Sequence, residues 1–126
     1  MKVLLAIKPE YAEKIFAGIK KFEFRKTVFK DKSVRKVVVY ASSPVKRVVG
    51  EFEIDEIITL EKESLWKETH EFAGISKTIF DNYFRKKELA HAIRIKTTKK
   101  YKTPLYLDLD FKIRSAPQSF IYINSN

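Results

Sequence analysis

Gly18-Ile19-Lys20-Lys21-Phe22-Glu23-Phe24-Arg25 is the stretch on which the fold turns. Glycine is the usual residue for closing a helix in a left-handed turn. Lys21 to Arg25 then alternates polar and apolar residues, the period of a half-buried strand. The octet predicts a helix stop followed at once by a strand, with Phe22 and Phe24 turned to a core. Lys20 sits just past the helix end, and Lys21, Glu23 and Arg25 share the other strand face. A carboxylate set between cations stays ionised, and the planar fork of Arg25 suits a phosphate or a base edge. The competing reading is a solvated strand face with ordinary surface ion pairs.

Upstream, Met1 to Ile7 is a short apolar strand, and Pro9 falls where a helix's first turn tolerates it. Tyr11, Ala12, Ile15 and Phe16 share one face of a short amphipathic helix. Downstream, Val37 to Ala41 is a continuous apolar run, a buried strand closed by the turn Ser42-Ser43-Pro44. Arg47 to Leu60 is a long strand in which Gly50 marks a bulge or bend. Leu65, Trp66, Thr69, Phe72 and Ala73 then share a helical face that stops at Gly74. Ser76 caps a second helix carrying Ile79, Phe80, Tyr83 and Phe84 inward. Leu89 to Lys96 and Leu105 to Phe111 alternate as strands, and Phe120 to Ile123 ends the pattern.

Clustered strands with few helices between them predict an α+β domain, a small mixed or antiparallel β-barrel, rather than a doubly wound parallel sheet. With 126 residues and no linker or repeat, one domain over 1–126 is expected.

The charge balance adds a partner. Lys and Arg number 26 against 16 acids, a net charge of +10. Residues 1–50 carry 13 bases and 4 acids, 51–90 carry 6 and 10, and 91–126 carry 7 and 2. Two basic ends around an acidic middle form one positive face on folding, which suits a polyanion. Cysteine is absent, which excludes disulfides, thiolate zinc sites and a cysteine nucleophile. No apolar run approaches the roughly 20 residues of a membrane span. The apolar start breaks at Lys8-Pro9, too early for a signal-peptide core, so a cytoplasmic location and no membrane partner are expected.

Standard catalytic signatures are nearly absent. The three glycines lie too far apart for a phosphate-cradling loop. His70 and His91 lack metal-ligand spacing, and His91 fits a semi-buried strand position beside Leu89 and Ile93. Asp108 and Asp110 point the same way on the expected strand and suit either a cation or solvent. Neither a metal nor a cofactor is expected.

Gly18-x-Lys20 followed by Glu23-x-Arg25, after an amphipathic helix, resembles the opening of the ASCH domain family within the PUA-like superfamily. Tyr40-Ala41-Ser42-Ser43-Pro44 with Val49-Gly50-Glu51-Phe52 is similar to that family's next signature. Trp66, Gly74-Ile75-Ser76-Lys77 and Pro117-Gln118-Ser119-Phe120 resemble a subgroup described as predicted transcriptional regulators. The resemblance implies a barrel-like fold with a cleft beside the first helix, lined by the Gly-x-Lys and Ser-Ser-Pro elements, where RNA or a nucleotide binds. Some family members are amidohydrolases that deacetylate N4-acetylcytidine, using the motif lysine and a threonine three residues on. Here Glu23 stands at that threonine's position, and a carboxylate does not replace a neutral hydroxyl nucleophile without a change of mechanism.

The expected function is therefore RNA or nucleotide binding in a basic cleft, with Lys20, Arg25 and Lys46 supplying charge. Ser42, Ser43, Gln118 and Ser119 supply directional hydrogen bonds, and Glu23 orients the lysine or accepts from a base amino group. Base stacking falls to Tyr40 or to an exposed tyrosine in 101–106. The alternative is a hydrolase acting on a modified nucleoside or on RNA, with Lys20 and Glu23 catalytic. A regulatory module with a DNA-binding partner protein is a third reading, since no helix-turn-helix pattern is present for direct major-groove reading.

Overall fold

The computed structural model describes residues 1–124. The chain runs β1 (Lys2–Ile7), α1 (Pro9–Phe16), β2 (Phe22–Arg25), β3 (Lys36–Ala41), β4 (Arg47–Glu61), α2 (Lys62–Thr69), a 3-10 turn (His70–Phe72), α3 (Lys77–Tyr83), β5 (Leu89–Leu105), α4 (Leu107–Phe111) and β6 (Ile121–Ile123). The α+β class and the helix–stop–strand reading of the opening octet hold. Gly18 takes φ +79° just beyond α1, in the region that favours glycine. The Ser76 hydroxyl accepts the Ile79 N–H at 3.2 Å, as expected of the cap of α3.

The six strands form one sheet in the order β2-β5-β4-β3-β1-β6. Among the described residues only β1 and β3 pair in parallel; the other ladders are antiparallel. The expected bend at Gly50 lies in the β4/β5 ladder, whose register shifts between Val48 and Gly50. Three cores stabilise the sheet. Val3, Leu5 and Ile7 of β1, with Ala12 and Ile15 of α1, pack against Val37, Val39 and Phe52. Phe22, Phe24, Leu65, Phe80 and Phe84 join β2 to α2 and α3, and Trp66 packs against them. Leu4, Val38, Tyr40, Val48 and Leu107 fill a further cluster with Phe111 of α4 at its margin.

Two expectations are corrected. The sheet is open, not a closed barrel: β2 and β6 are its two edges and do not pair. Where a barrel would close by backbone hydrogen bonds, the Arg25 side chain reaches from β2 to Ala6 O at 3.4 Å and to Ser119 O at 2.8 Å. A strand of four residues and one of three give too little ladder to close the remaining gap. Second, Leu105 to Phe111 is not a strand. Strand β5 ends at Leu105, and the Tyr106 N–H turns to the Asp110 carboxylate at 2.7 Å. Leu107 and Phe111, four apart, then both reach the same core, a spacing that an alternating pattern also contains. Asp108 and Asp110 hence lie in the first turn of α4, and the strand-face cation reading goes with the strand. No helix among the described residues is long and apolar enough to cross a membrane.

Candidate nucleotide-binding cleft

The gap between the sheet edges is a cleft of about 520 Å³. It is floored by Ala6 and Ile7 at the end of β1 and walled by Tyr11 of α1 on one side and Ile79, Asn82 and Tyr83 of α3 on another. Lys20, Glu23, Arg25 and Gln118 also line it, so the structure brings these four sequence-predicted residues together.

Lys20 is only 2% exposed, because the turn after α1 folds under residues 72–74. Its Nζ donates to Ala73 O at 2.7 Å and lies over the rings of Phe24 and Tyr11, at 4.7 and 5.4 Å from their centroids. Lys14 Nζ donates to the adjacent Gly74 O at 3.0 Å, and the Lys21 N–H to Phe72 O at 2.9 Å. Gly74 makes this seat possible. It takes φ +70°, and a Cβ there would stand 2.6 Å from Cβ and Cγ of Lys20. Burial pulls the Lys20 ammonium down to about 8; the Glu23 charge opposes this and Lys14 adds to it.

Glu23 is 5% exposed and pairs with Arg25 Nη1 at 3.2 Å. Burial raises its carboxyl above the usual range, against the pull of Lys20 and Arg25. An acid and a base are thus both pushed toward neutrality around one cleft, an electrostatic arrangement that suits proton transfer. Burial also raises the Tyr83 and Tyr11 hydroxyls.

The octet's polar face is therefore not solvated, since α3 and the segment around Gln118 and Ser119 cover it. Lys21 leaves that face: its Nζ lies 4.3 Å over the Phe72 ring, away from the cleft. Ser119 contributes a carbonyl to Arg25. Ser42, Ser43 and Lys46 do not line the cleft; they form the adjoining turn, where the Ser42 N–H donates to Ile7 O at 2.9 Å. Tyr40 is 8% exposed, packed in the cluster around Leu4 and Val38. Sequence reasoning missed Tyr11 and the α3 wall, assigning their inward faces wholly to core. The available signal was a tyrosine among phenylalanines, whose hydroxyl must meet a partner or water.

The ASCH domain model matches residues 5–99. A large ribosomal subunit protein uL22 from Ureaplasma parvum serovar 3 is 32% identical over 122 residues, which is 96% of this chain. This chain spans only 39% of that relative's length. An ASCH domain-containing ribonuclease from Zymomonas mobilis is 27% identical over 125 residues, covering 97% of this chain and 84% of the relative. The crystal structure of ASCH from the same organism superposes with a TM-score of 0.87 at 28% identity, covering 98% of this chain and 87% of that one. A mutant of that protein gives 0.88 at 26%, covering 98% and 90%. A match over residues 5–99, from within β1 to within β5, on a fold shared almost end to end, makes this chain a member of the ASCH domain family.

Proposed function

We propose that the cleft binds a nucleotide of RNA, and that binding is this domain's work. The observation behind the proposal is the buried Lys20 and Glu23, with the partly buried Arg25 beside them, opening into a space of nucleotide size. Lys20 and Arg25 supply positive charge, Tyr11 and Tyr83 supply aromatic surface, and Gln118 supplies an amide. The Glu23 carboxylate accepts from a base amino group. A net charge of +10 supports an anionic partner, and RNA fits the expected cytoplasmic location. No described feature favours the regulatory module with a DNA-binding partner protein.

One observation favours a second reading, hydrolysis of RNA or of a modified nucleoside. A lysine near pKa 8 beside a carboxyl raised by burial can exchange protons close to neutral pH, and a relative carries the name ribonuclease. The test is titration with single-stranded RNA at two salt concentrations, with free nucleotides in parallel and product analysis by gel. Lys20→Ala and Arg25→Ala should each lose about 1–3 kcal/mol of binding. Lys62→Ala and Lys86→Ala should only flatten the salt slope slightly. Equal losses at all four positions sink the cleft; a selective loss with product formation moves the assignment to the hydrolase.

A further inference from the structure

Four tyrosines lie outside the cleft, and the structure separates them: Tyr122, 42% exposed, accepts the Asp31 N–H on its hydroxyl at 3.3 Å. Tyr40 is buried, and the half-buried Tyr101 commits its hydroxyl to Glu51 Oε1 at 2.9 Å. Tyr106 alone of these is free: it is 44% exposed, and its hydroxyl makes no hydrogen bond among the described residues. The Arg47 guanidinium lies 4.1 Å from the Tyr106 ring centroid. Arg47 has no carboxylate partner among the described residues; its one side-chain hydrogen bond is from Nη1 to Lys46 O at 2.9 Å. The nearby acids are turned to backbone, Asp110 to the Tyr106 N–H and Asp108 to the Leu109 N–H. An arginine stacked on an exposed tyrosine offers a flat surface for a base and unspent N–H donors for a phosphate.

Its place relative to the cleft follows from the sheet register. Ile7, which lines the cleft, pairs with Ala41, and Ala41 pairs with Arg47. Two strand spacings put Arg47 about 10 Å from Ile7 along one row of the sheet, with the three side chains on the same face. The exposed Lys46 precedes Arg47 in the chain.

We propose that Arg47 and Tyr106 form a second subsite, which stacks the base and holds the phosphate of the nucleotide adjoining the one in the cleft. The subsite rests on the reading of the cleft as an RNA site, and it makes the preferred ligand a single strand rather than a free nucleotide.

The test uses the full chain with two probes, cytidine monophosphate and a mixed-sequence single-stranded RNA, the latter also in a 2′-O-methyl form that resists cleavage. Arg47→Ala and Tyr106→Ala should each weaken the oligonucleotide about tenfold while leaving the monophosphate unchanged. Tyr106→Phe, which keeps the ring, should bind as the unaltered chain does, and melting temperatures check that all variants fold. Unchanged oligonucleotide affinity in both alanine variants overturns the subsite, as does an equal loss for both probes. Lys20→Ala separates the two ideas: if it weakens the monophosphate while Arg47→Ala leaves the oligonucleotide intact, only the subsite falls. If Lys20→Ala affects neither probe, the cleft reading falls as well.

Discussion

Two lysine–carboxylate groups in this molecule share their chemistry and differ in their surroundings. At α3, Lys77 Nζ meets Asp81 at 3.1 Å and Glu63 at 3.2 Å in the open. Its ammonium is raised, chiefly by the hydrogen bond to Asp81. At the cleft, Lys20 is buried near Glu23 with a peptide carbonyl and two rings for company, and it is pulled down to about 8. The exposed group has more and shorter charge contacts. The buried one has the depressed ammonium, because desolvation outweighs attraction once water is excluded. Counting ion pairs would therefore point to the wrong end of the domain.

The largest test of this contrast is Gly74→Ala. Both the left-handed backbone and the overlap with the Lys20 stem oppose a methyl group, so urea denaturation should show a loss of about 2–4 kcal/mol together with lost RNA binding. An unchanged midpoint and unchanged affinity would show that Lys20 does not need this seat.

Next comes pH. Lys20 gives up its proton near pH 8 when folded and near 10.5 when unfolded. Between those values the unfolded chain binds more protons, so the Lys20 contribution makes stability rise with pH. Over the same window Lys20 loses its positive charge, and RNA affinity should fall about tenfold across pH 8. Lys77 stays charged there, and Lys20→Ala should flatten the profile. Titrations on either side of pH 8 decide it; an identical slope in the variant assigns the effect elsewhere. The smallest effect belongs to Lys77→Ala, for which melting temperature and RNA affinity should both stay within error, as exposed pairs usually do.

Local structure was legible where one residue decides it: Gly18 and Ser76 punctuate helices by their own conformational and hydrogen-bonding habits. Leu105 to Phe111 was not, because Leu107 and Phe111 satisfy period two and the four-residue helical spacing at once. Closure of the sheet was hidden for a different reason. Whether β2 meets β6 depends on the length of both edge strands and on how far the sheet curls, and the alternation of residues in either edge does not encode that. In the site, the residue types of Lys20, Glu23 and Arg25 were readable but their burial was not. The atoms that cover them come from residues 73–83 and 118–119, far along the chain. Tyr11 and Tyr83 were hidden by their periodicity, which also fits core.

The contacts that make the cleft join distant parts of the chain. Lys20 reaches its carbonyl across 53 residues, Lys14 across 60, and Arg25 reaches Ser119 across 94. Closing such loops costs entropy that no local contact offsets. The cleft is therefore complete only once both ends of the chain and the segment around Gly74 have come together. The cleft borrows residues from both ends of the chain, so ligand binding, where it occurs there, should report on completion of the whole fold.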